Sequence, residues 1–349
     1  MKKIDIINLI KAHVSGDEDM FRQIANKVAN EFYNDGDSEL SDMISSLIYT
    51  NHTLVPQSQD RMIGSFLKLE DVSKGQLILP DNIINEVNGI FNAVNRDIGV
   101  NEFLFYGKPG TGKTEASKMI AYRLRRNLWY VSISDLIDSK LGATAKNIHT
   151  LFNDIEKYPF KKKMVVLFDE LDALSLNRSD ARDLREMARA TTELFNGLDS
   201  LNKDVLLIAT TNLFKDFDKA LLRRFNKCIN FDEYTNEDLI DIGLEFYKDY
   251  AAKVENIERN DKLVKKILMT YKPLPNPGDL KNIIASSIAF SNPKNARDYY
   301  SRLVSGLDNS NDPLNVEHLR ELGFSLRDIE KITGISKTMV GRKLNNEKW

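Results

Sequence analysis

Residues 107–114 read Gly107-Lys108-Pro109-Gly110-Thr111-Gly112-Lys113-Thr114, directly after the apolar run Phe103-Leu104-Phe105-Tyr106 and directly before a segment with helical spacing. Nothing else in the chain narrows the fold as much. The pattern G-x-x-x-x-G-K-[ST] between a strand and a helix makes a loop whose glycines let backbone N–H groups curl around phosphates. The helix amino terminus adds positive potential. Lys113 is expected on the β- and γ-phosphates of a nucleoside triphosphate and the Thr114 hydroxyl on Mg²⁺, with Glu115 one position further into the helix.

The chain has 349 residues, enough on a prior of about 150 per domain for two domains and a small third. With 42% hydrophobic and 29% charged residues it is neither disordered nor fibrous. The net charge of -2 supplies no chain-wide field for nucleic acid or anionic lipid, so any such patch must be local. A single cysteine, Cys228, allows neither an internal disulfide nor a cysteine-rich metal site and fits a reducing cytoplasm. The longest apolar runs are about five residues against the roughly 20 that a membrane helix needs, so no membrane partner is expected. The charged start Met1-Lys2-Lys3-Ile4-Asp5 does not resemble an export signal.

Along the chain, Phe21, Ile24, Ala25, Val28, Ala29 and Phe32 lie at the spacing of one helical face, and Leu40, Met43, Ile44, Leu47 and Ile48 repeat the pattern. The polar stretch around Pro56-Gln57-Ser58-Gln59-Asp60 reads as a linker. Short apolar runs then alternate with amphipathic segments at residues 103–106, 128–133, 164–168, 205–210 and 228–231, the signature of a helix-covered parallel sheet. Residues 235–306 are helical again, broken at Pro273-Leu274-Pro275-Asn276-Pro277-Gly278. A second break, residues 307–313, sets off a carboxyl-terminal unit.

The run Met164-Val165-Val166-Leu167-Phe168 delivers Asp169 and Glu170 at its carboxyl end, where ligands of open α/β sheets bind. Asp169 is placed for Mg²⁺ and Glu170 for polarising the attacking water as general base. These two segments resemble the Walker A and Walker B motifs of the AAA+ ATPases, and other positions agree with the AAA group in the narrow sense. The resemblance covers about residues 70–300 and implies an α/β fold. Its P-loop AAA+ parallel-sheet domain would occupy residues 65–232 and its helical lid residues 233–306. A helical module at 1–55 and a helix-turn-helix-like unit at 314–349 would flank them. It also implies ATP and Mg²⁺ as cofactors, ATP rather than GTP because no N-K-x-D-like reader is present. Thr210-Thr211-Asn212 resembles sensor 1, which makes Asn212 the group that orients water. Ala220-Leu221-Leu222-Arg223-Arg224-Phe225 resembles the arginine-finger segment, which acts on the neighbouring subunit's nucleotide. Without the proline-glycine that often separates the two arginines, either Arg223 or Arg224 could be the finger, and Arg224 is preferred. Pro277-Gly278-Asp279-Leu280 resembles the lid motif, with Gly278 near the adenine and ribose.

Around Leu136-Ile137-Asp138-Ser139-Lys140-Leu141-Gly142 the chain is similar to the first pore loop of AAA unfoldases, with Lys140 at the usual aromatic position. An ammonium there favours acidic or phosphate partners over a general grip on polypeptide. Residues 325–345 resemble the helix-turn-helix of resolvase-like and transposase-like proteins. Ser325 and Ser336 would cap its helices and Gly334 make the turn. Its core would be Ile329, Ile332, Ile335, Val340 and Leu344, and Lys337, Thr338, Arg342, Lys343 and Asn345 would face DNA. The segment Gly16-Asp17-Glu18-Asp19-Met20-Phe21-Arg22 resembles a bacterial set of AAA ATPases encoded beside subtilisin-like serine proteases in mobile-element or phage-defence settings. The expectation is an ATPase that forms a homo-oligomer, a hexamer by resemblance, and remodels a protein or protein–DNA partner. The alternative is an ATP-switched DNA-binding regulator or transposition helper.

Overall fold

The computed structural model describes residues 3–15, 18–49, 62–72, 77–138, 142–176 and 181–346. Five strands form its parallel centre: β3 (Glu102–Tyr106), β4 (Asn127–Ser132), β5 (Met164–Asp169), β6 (Leu206–Thr211) and β7 (Lys227–Asn230). A hairpin of β1 (Met62–Ile63) and β2 (Leu67–Glu70) continues the sheet antiparallel to β4, giving the order β1-β2-β4-β5-β6-β3-β7. The hairpin is absent from the sequence reading because two short strands with a mixed pattern carry no period of their own.

The helices are α1 (Lys3–Ser15), α2 (Glu18–Asn34) and α3 (Ser38–Tyr49) at the amino end, then α4 (Asp81–Arg96), α5 (Lys113–Leu124), α6 (Ile133–Leu136), α7 (Ala143–Lys157), α8 (Ala173–Leu176), α9 (Ala181–Asp199) and α10 (Lys219–Leu222). After the sheet follow α11 (Asn236–Ala252), α12 (Asp261–Thr270), α13 (Pro277–Ala289), α14 (Asp298–Leu307), α15 (Val316–Glu321), α16 (Leu326–Thr333) and α17 (Lys337–Asn346). None of the described helices is long and apolar enough to cross a membrane.

Alternation along the strands decides which side each residue serves. Leu104, Val131, Val166, Phe168 and Leu207 point into a core shared with α7 and α9, whereas Phe103, Phe105, Val165, Leu167 and Ile208 point into one shared with α4 and α5. Both faces are dry, which is why these strands read as unbroken apolar runs. Each such side chain contributes about 1.5–3 kcal/mol by leaving water.

The break at residues 307–313 does not free the carboxyl-terminal helices. Ile329, Ile332 and Val340 are buried in one core with Leu280, Leu303 and Val304 of α13 and α14, and Ile335 and Leu344 pack against it. Lys266 of α12 pairs with Asp328 at 2.8 Å and Lys331 pairs with Glu258. A three-helix unit this small has too little core of its own, and α13 and α14 supply the missing face. Ser325 caps α16 in a capping box with Asp328, and Gly334 closes that helix at φ 75°.

Candidate nucleotide site

Sheet topology fixes where the site lies. The chain leaves β3 towards β4 on one side and leaves β6 towards β7 on the other, so the connections part at the carboxyl ends of neighbouring β3 and β6. A cleft of about 500 Å³ opens there. Pro109, Gly110, Gly112, Lys113, Thr114 and Glu115 line it from the loop after β3 and the start of α5. Asp169 and Glu170 enter from β5, Asn212 from the end of β6 and Gly278 from the start of α13. These residues are drawn from positions 109 to 278 and meet in one place.

Two of the loop residues serve the loop itself. Gly107 is the turn out of β3, and Thr111 is buried, its hydroxyl donating to the Lys108 carbonyl at 2.9 Å. Tyr234 donates to the Thr111 carbonyl at 2.7 Å, and the Lys108 N–H donates to Asp232 Oδ1 at 2.6 Å. The segment joining β7 to α11 therefore holds the loop from below. From above, the Gly278 N–H donates to the Gly110 carbonyl at 2.8 Å. A Cβ on Gly278 would lie 2.8 Å from the Gly110 Cα, so only glycine permits this approach. Gly278 lines the cleft and touches the phosphate loop directly.

Lys113 is 7% exposed and donates to the carbonyls of Gly107 at 2.7 Å and Lys108 at 2.8 Å and to Asn212 Oδ1 at 2.9 Å. Burial lowers the pKa of its ammonium, and Asp232, Asp169, Asp172 and Glu170 pull it back up. Asp169 Oδ1 accepts from Thr210 at 2.6 Å and Thr114 at 3.1 Å, while Oδ2 accepts from Tyr130 at 3.3 Å. Burial, with Asp169 next in weight, pushes the Tyr130 phenol up to about 12, so it remains a donor at neutral pH. Glu170 follows in a left-handed conformation at φ 58°, its N–H donating to Thr210 Oγ1 at 3.0 Å. That backbone costs about 1–2 kcal/mol and turns the chain out of β5 at the cleft. Asp172 accepts from the Thr211 hydroxyl at 2.8 Å and the Asn212 N–H at 3.0 Å and so fixes the end of β6.

The donor set suits the expected ligands. Turned glycine N–H groups, a buried ammonium and a helix amino terminus match a phosphate chain. A carboxylate and a hydroxyl 3.1 Å apart are hard oxygen donors of the kind Mg²⁺ takes beside phosphates. Residues without a motif complete the cleft: Leu77, Met119 and Phe246 add apolar surface, and Asp71, Lys118 and Lys281 add charge. Only Lys118 and Met119 had a sequence signal, one helical turn beyond Thr114.

Arg223 and Arg224 lie outside this cleft. Arg224 is stacked 4.0 Å from the Phe195 ring and donates to Asp199 Oδ2 at 3.0 Å and the Ala220 carbonyl at 2.6 Å, with its side chain 14% exposed. Arg223 is exposed. The Arg224 guanidinium is thus engaged by residues of its own chain. On α17, Lys337, Thr338, Arg342, Lys343 and Asn345 are all exposed. Lys140, Gly16 and Asp17 lie outside the described residues.

Residues 103–233 match the family described as the ATPase family associated with various cellular activities (AAA). An uncharacterized AAA family ATPase, y4kL of Sinorhizobium fredii, is 38% identical over 131 residues, 38% of each chain. The 26S proteasome regulatory subunit 4 homolog of Schizosaccharomyces pombe is 35% identical over 37% of this chain and 30% of its own length. The proteasome-activating nucleotidase of Methanoregula boonei is 35% identical over 36% of this chain and 30% of its own. The chain thus spans about a third of the length of the curated relatives it matches. Among solved structures, the FIGL-1 AAA domain in complex with ADP superposes with a TM-score of 0.52 at 15% identity, covering 71% of this chain and 89% of that one, a likeness of fold. Residues 103–233 are an AAA ATPase domain.

Proposed function

We propose that the AAA ATPase domain at residues 103–233 hydrolyses ATP at sites completed by a neighbouring copy of the chain, and that the chain uses this turnover to remodel a protein partner. One observation carries the reading: Lys113, Thr114, Asp169, Glu170 and Asn212 meet in a single cleft. The loop N–H groups and Lys113 bind the phosphate chain, Lys113 turning from the Gly107 and Lys108 carbonyls to the anion. Thr114 and Asp169 hold Mg²⁺, which when bound neutralises charge on the phosphates. Glu170 accepts the proton of the attacking water. The Asn212 amide orients that water, because its carbonyl oxygen is taken by Lys113 and its N–H donors remain. The nearby lid contact between Gly278 and Gly110 lets nucleotide at the loop be felt in α13.

Arg223 supplies the trans cation, and assembly into a ring, a hexamer by resemblance, brings it to the next subunit's γ-phosphate. Similarity to proteasome-associated ATPases supports a protein client. The amino-terminal pattern makes a subtilisin-like serine protease the first client to test by co-purification with and without ATP. Absence of binding in both conditions removes it.

A second reading, an ATP-switched DNA-binding regulator or transposition helper, is favoured by the five exposed polar residues of α17 behind the Gly334 turn. Steady-state ATPase activity across a protein concentration series, with and without duplex DNA, separates the two. Glu170→Gln serves as the blank, expected to keep ATP binding and to lose turnover by about 10²-fold or more. Turnover per subunit that rises with concentration and ignores DNA supports the remodeller, and a rise with DNA supports the second reading. Turnover independent of concentration rejects the trans arginine.

A further inference from the structure

At the opposite edge of the sheet a second cleft, of about 470 Å³, opens where α4 and α5 end and where the chain enters β4, β5 and β6. Arg125, Arg126, Lys162, Lys163 and Lys203 line it, and its carboxylates are Asp97 and Asp204. Lys162 stands between both acids, 3.6 Å from Asp97 and 3.8 Å from Asp204, so the acids are shared with one cation. Arg125 occupies the C-cap of α5, where a cation is favoured by the helix dipole.

Arg126 is the telling one. Its guanidinium donates to the Asp204 carbonyl at 3.2 Å and has no carboxylate within ion-pair distance among the described residues. It is half-buried, and burial lowers its pKa, with Asp204 and Asp97 opposing from a distance. A charge partly withdrawn from water with its carboxylates beyond pairing distance is costly, and an anion that enters the cleft reduces that cost. Lys203 is laid against the backbone of Gly99, which has φ 76°: a Cβ there would be 3.1 Å from the Lys203 Cδ. The glycine leaves room for the lysine stem beside the cleft. Lys163 lies 5.5 Å from the centre of the Tyr33 ring, and Tyr33 of α2 forms part of the wall.

We propose that this cleft binds a small oligophosphate anion, at a site separate from the nucleotide cleft. Its volume is that of a small-molecule site. A planar guanidinium beside several ammonium groups suits tetrahedral, multiply charged phosphate, and the excess of positive charge exceeds what one carboxylate would neutralise. Because α2 supplies Tyr33 and the connections into β4, β5 and β6 supply the cations, the bound anion ties the amino-terminal helices to the α/β domain.

The test uses the full chain with Lys113→Ala, which removes the phosphate loop's lysine, titrated calorimetrically with inorganic tripolyphosphate. Saturable, sub-millimolar binding that weakens with added salt is expected. Lys203→Gln, an exposed change, and Arg126→Gln in that background each weaken it by about tenfold. Arg126→Lys falls between, and melting curves establish that each variant is folded. No saturable binding overturns the proposal, as does an affinity unchanged by Lys203→Gln, or a short polyglutamate bound as tightly as tripolyphosphate. Binding present in the parent chain and lost with Lys113→Ala belongs to the nucleotide cleft and also overturns it, whereas loss of ATPase activity in Lys113→Ala tests the proposed function alone.

Discussion

The two edges of the sheet carry clefts of similar size, about 500 and 470 Å³, that treat charge in opposite ways. At the carboxyl edge the central charged groups are held. Lys113 has three acceptors, Asp169 has three donors, and Asp172 is bound by Thr211 and the Asn212 backbone. At the amino edge cations outnumber carboxylates, and Arg126 has a carbonyl for its partner. A site that runs a reaction gains from groups held in place before substrate arrives, since little reorganisation is left for the transition state. A site that only binds an anion needs net charge and space. The contrast separates preorganisation from attraction within one domain.

The largest effect that can break this contrast lies outside both clefts. If Arg223 acts on the neighbour's nucleotide, Arg223→Ala lowers turnover by about 10³-fold while ATP binding to the single chain is unchanged. Arg224→Ala acts differently, because its guanidinium stacks on Phe195 and pairs with Asp199. It costs about 1–2 kcal/mol of stability and less turnover than Arg223→Ala. Turnover and thermal melts of the two variants side by side decide the assignment. A larger kinetic loss for Arg224→Ala at equal stability would return the role to Arg224.

How much of this was legible before the fold follows from the range of each interaction. Residues 107–114 carry their chemistry within eight positions, and Asp169-Glu170 within two, so both could be read directly. The five parallel strands were legible because each is buried on both faces. The contacts of Arg224 were not legible because its partners, Phe195 and Asp199, belong to α9, a helix the segment itself does not announce. The carboxyl-terminal helices were read as a separate unit from their polar break, yet their core closes only against α13 and α14. The basic cleft was invisible for the same reason: its cations come from three connections, at 125–126, 162–163 and 203, that only the sheet brings together.

A smaller effect sharpens the account of preorganisation at the carboxyl edge. Tyr130 reaches Asp169 Oδ2 at 3.3 Å from the neighbouring strand, with no motif to mark it. Removing that donor with Tyr130→Phe frees one carboxylate oxygen to rotate. The expected result is an approximately threefold to tenfold rise in the Mg²⁺ concentration giving half-maximal turnover, with turnover at saturating Mg²⁺ unchanged. A Mg²⁺ titration with an unaltered midpoint would show that Thr210 and Thr114 position Asp169 without help.

The smallest effect probes charge balance at the amino edge. Glu102 begins β3, next to Asn101 of the basic cleft, and burial, with Asp199 adding repulsion, pushes its carboxyl up to about 7. A carboxyl whose pKa is higher in the folded than in the unfolded chain holds its proton longer when folded. Its contribution to stability is therefore full below the ordinary glutamate range and falls as pH rises from about 4.5 to about 7. Glu102→Gln keeps the shape without the charge. After allowance for solvent screening of a half-exposed group, the variant should gain about 1 kcal/mol over the parent at pH 8 and almost nothing at pH 5. Denaturant unfolding at the two pH values measures this directly. A gain of equal size at both would assign it to packing rather than to charge. The predicted difference would mean that, up to neutral pH, a substantial fraction of Glu102 is uncharged and leaves the positive excess of the neighbouring cleft largely uncancelled.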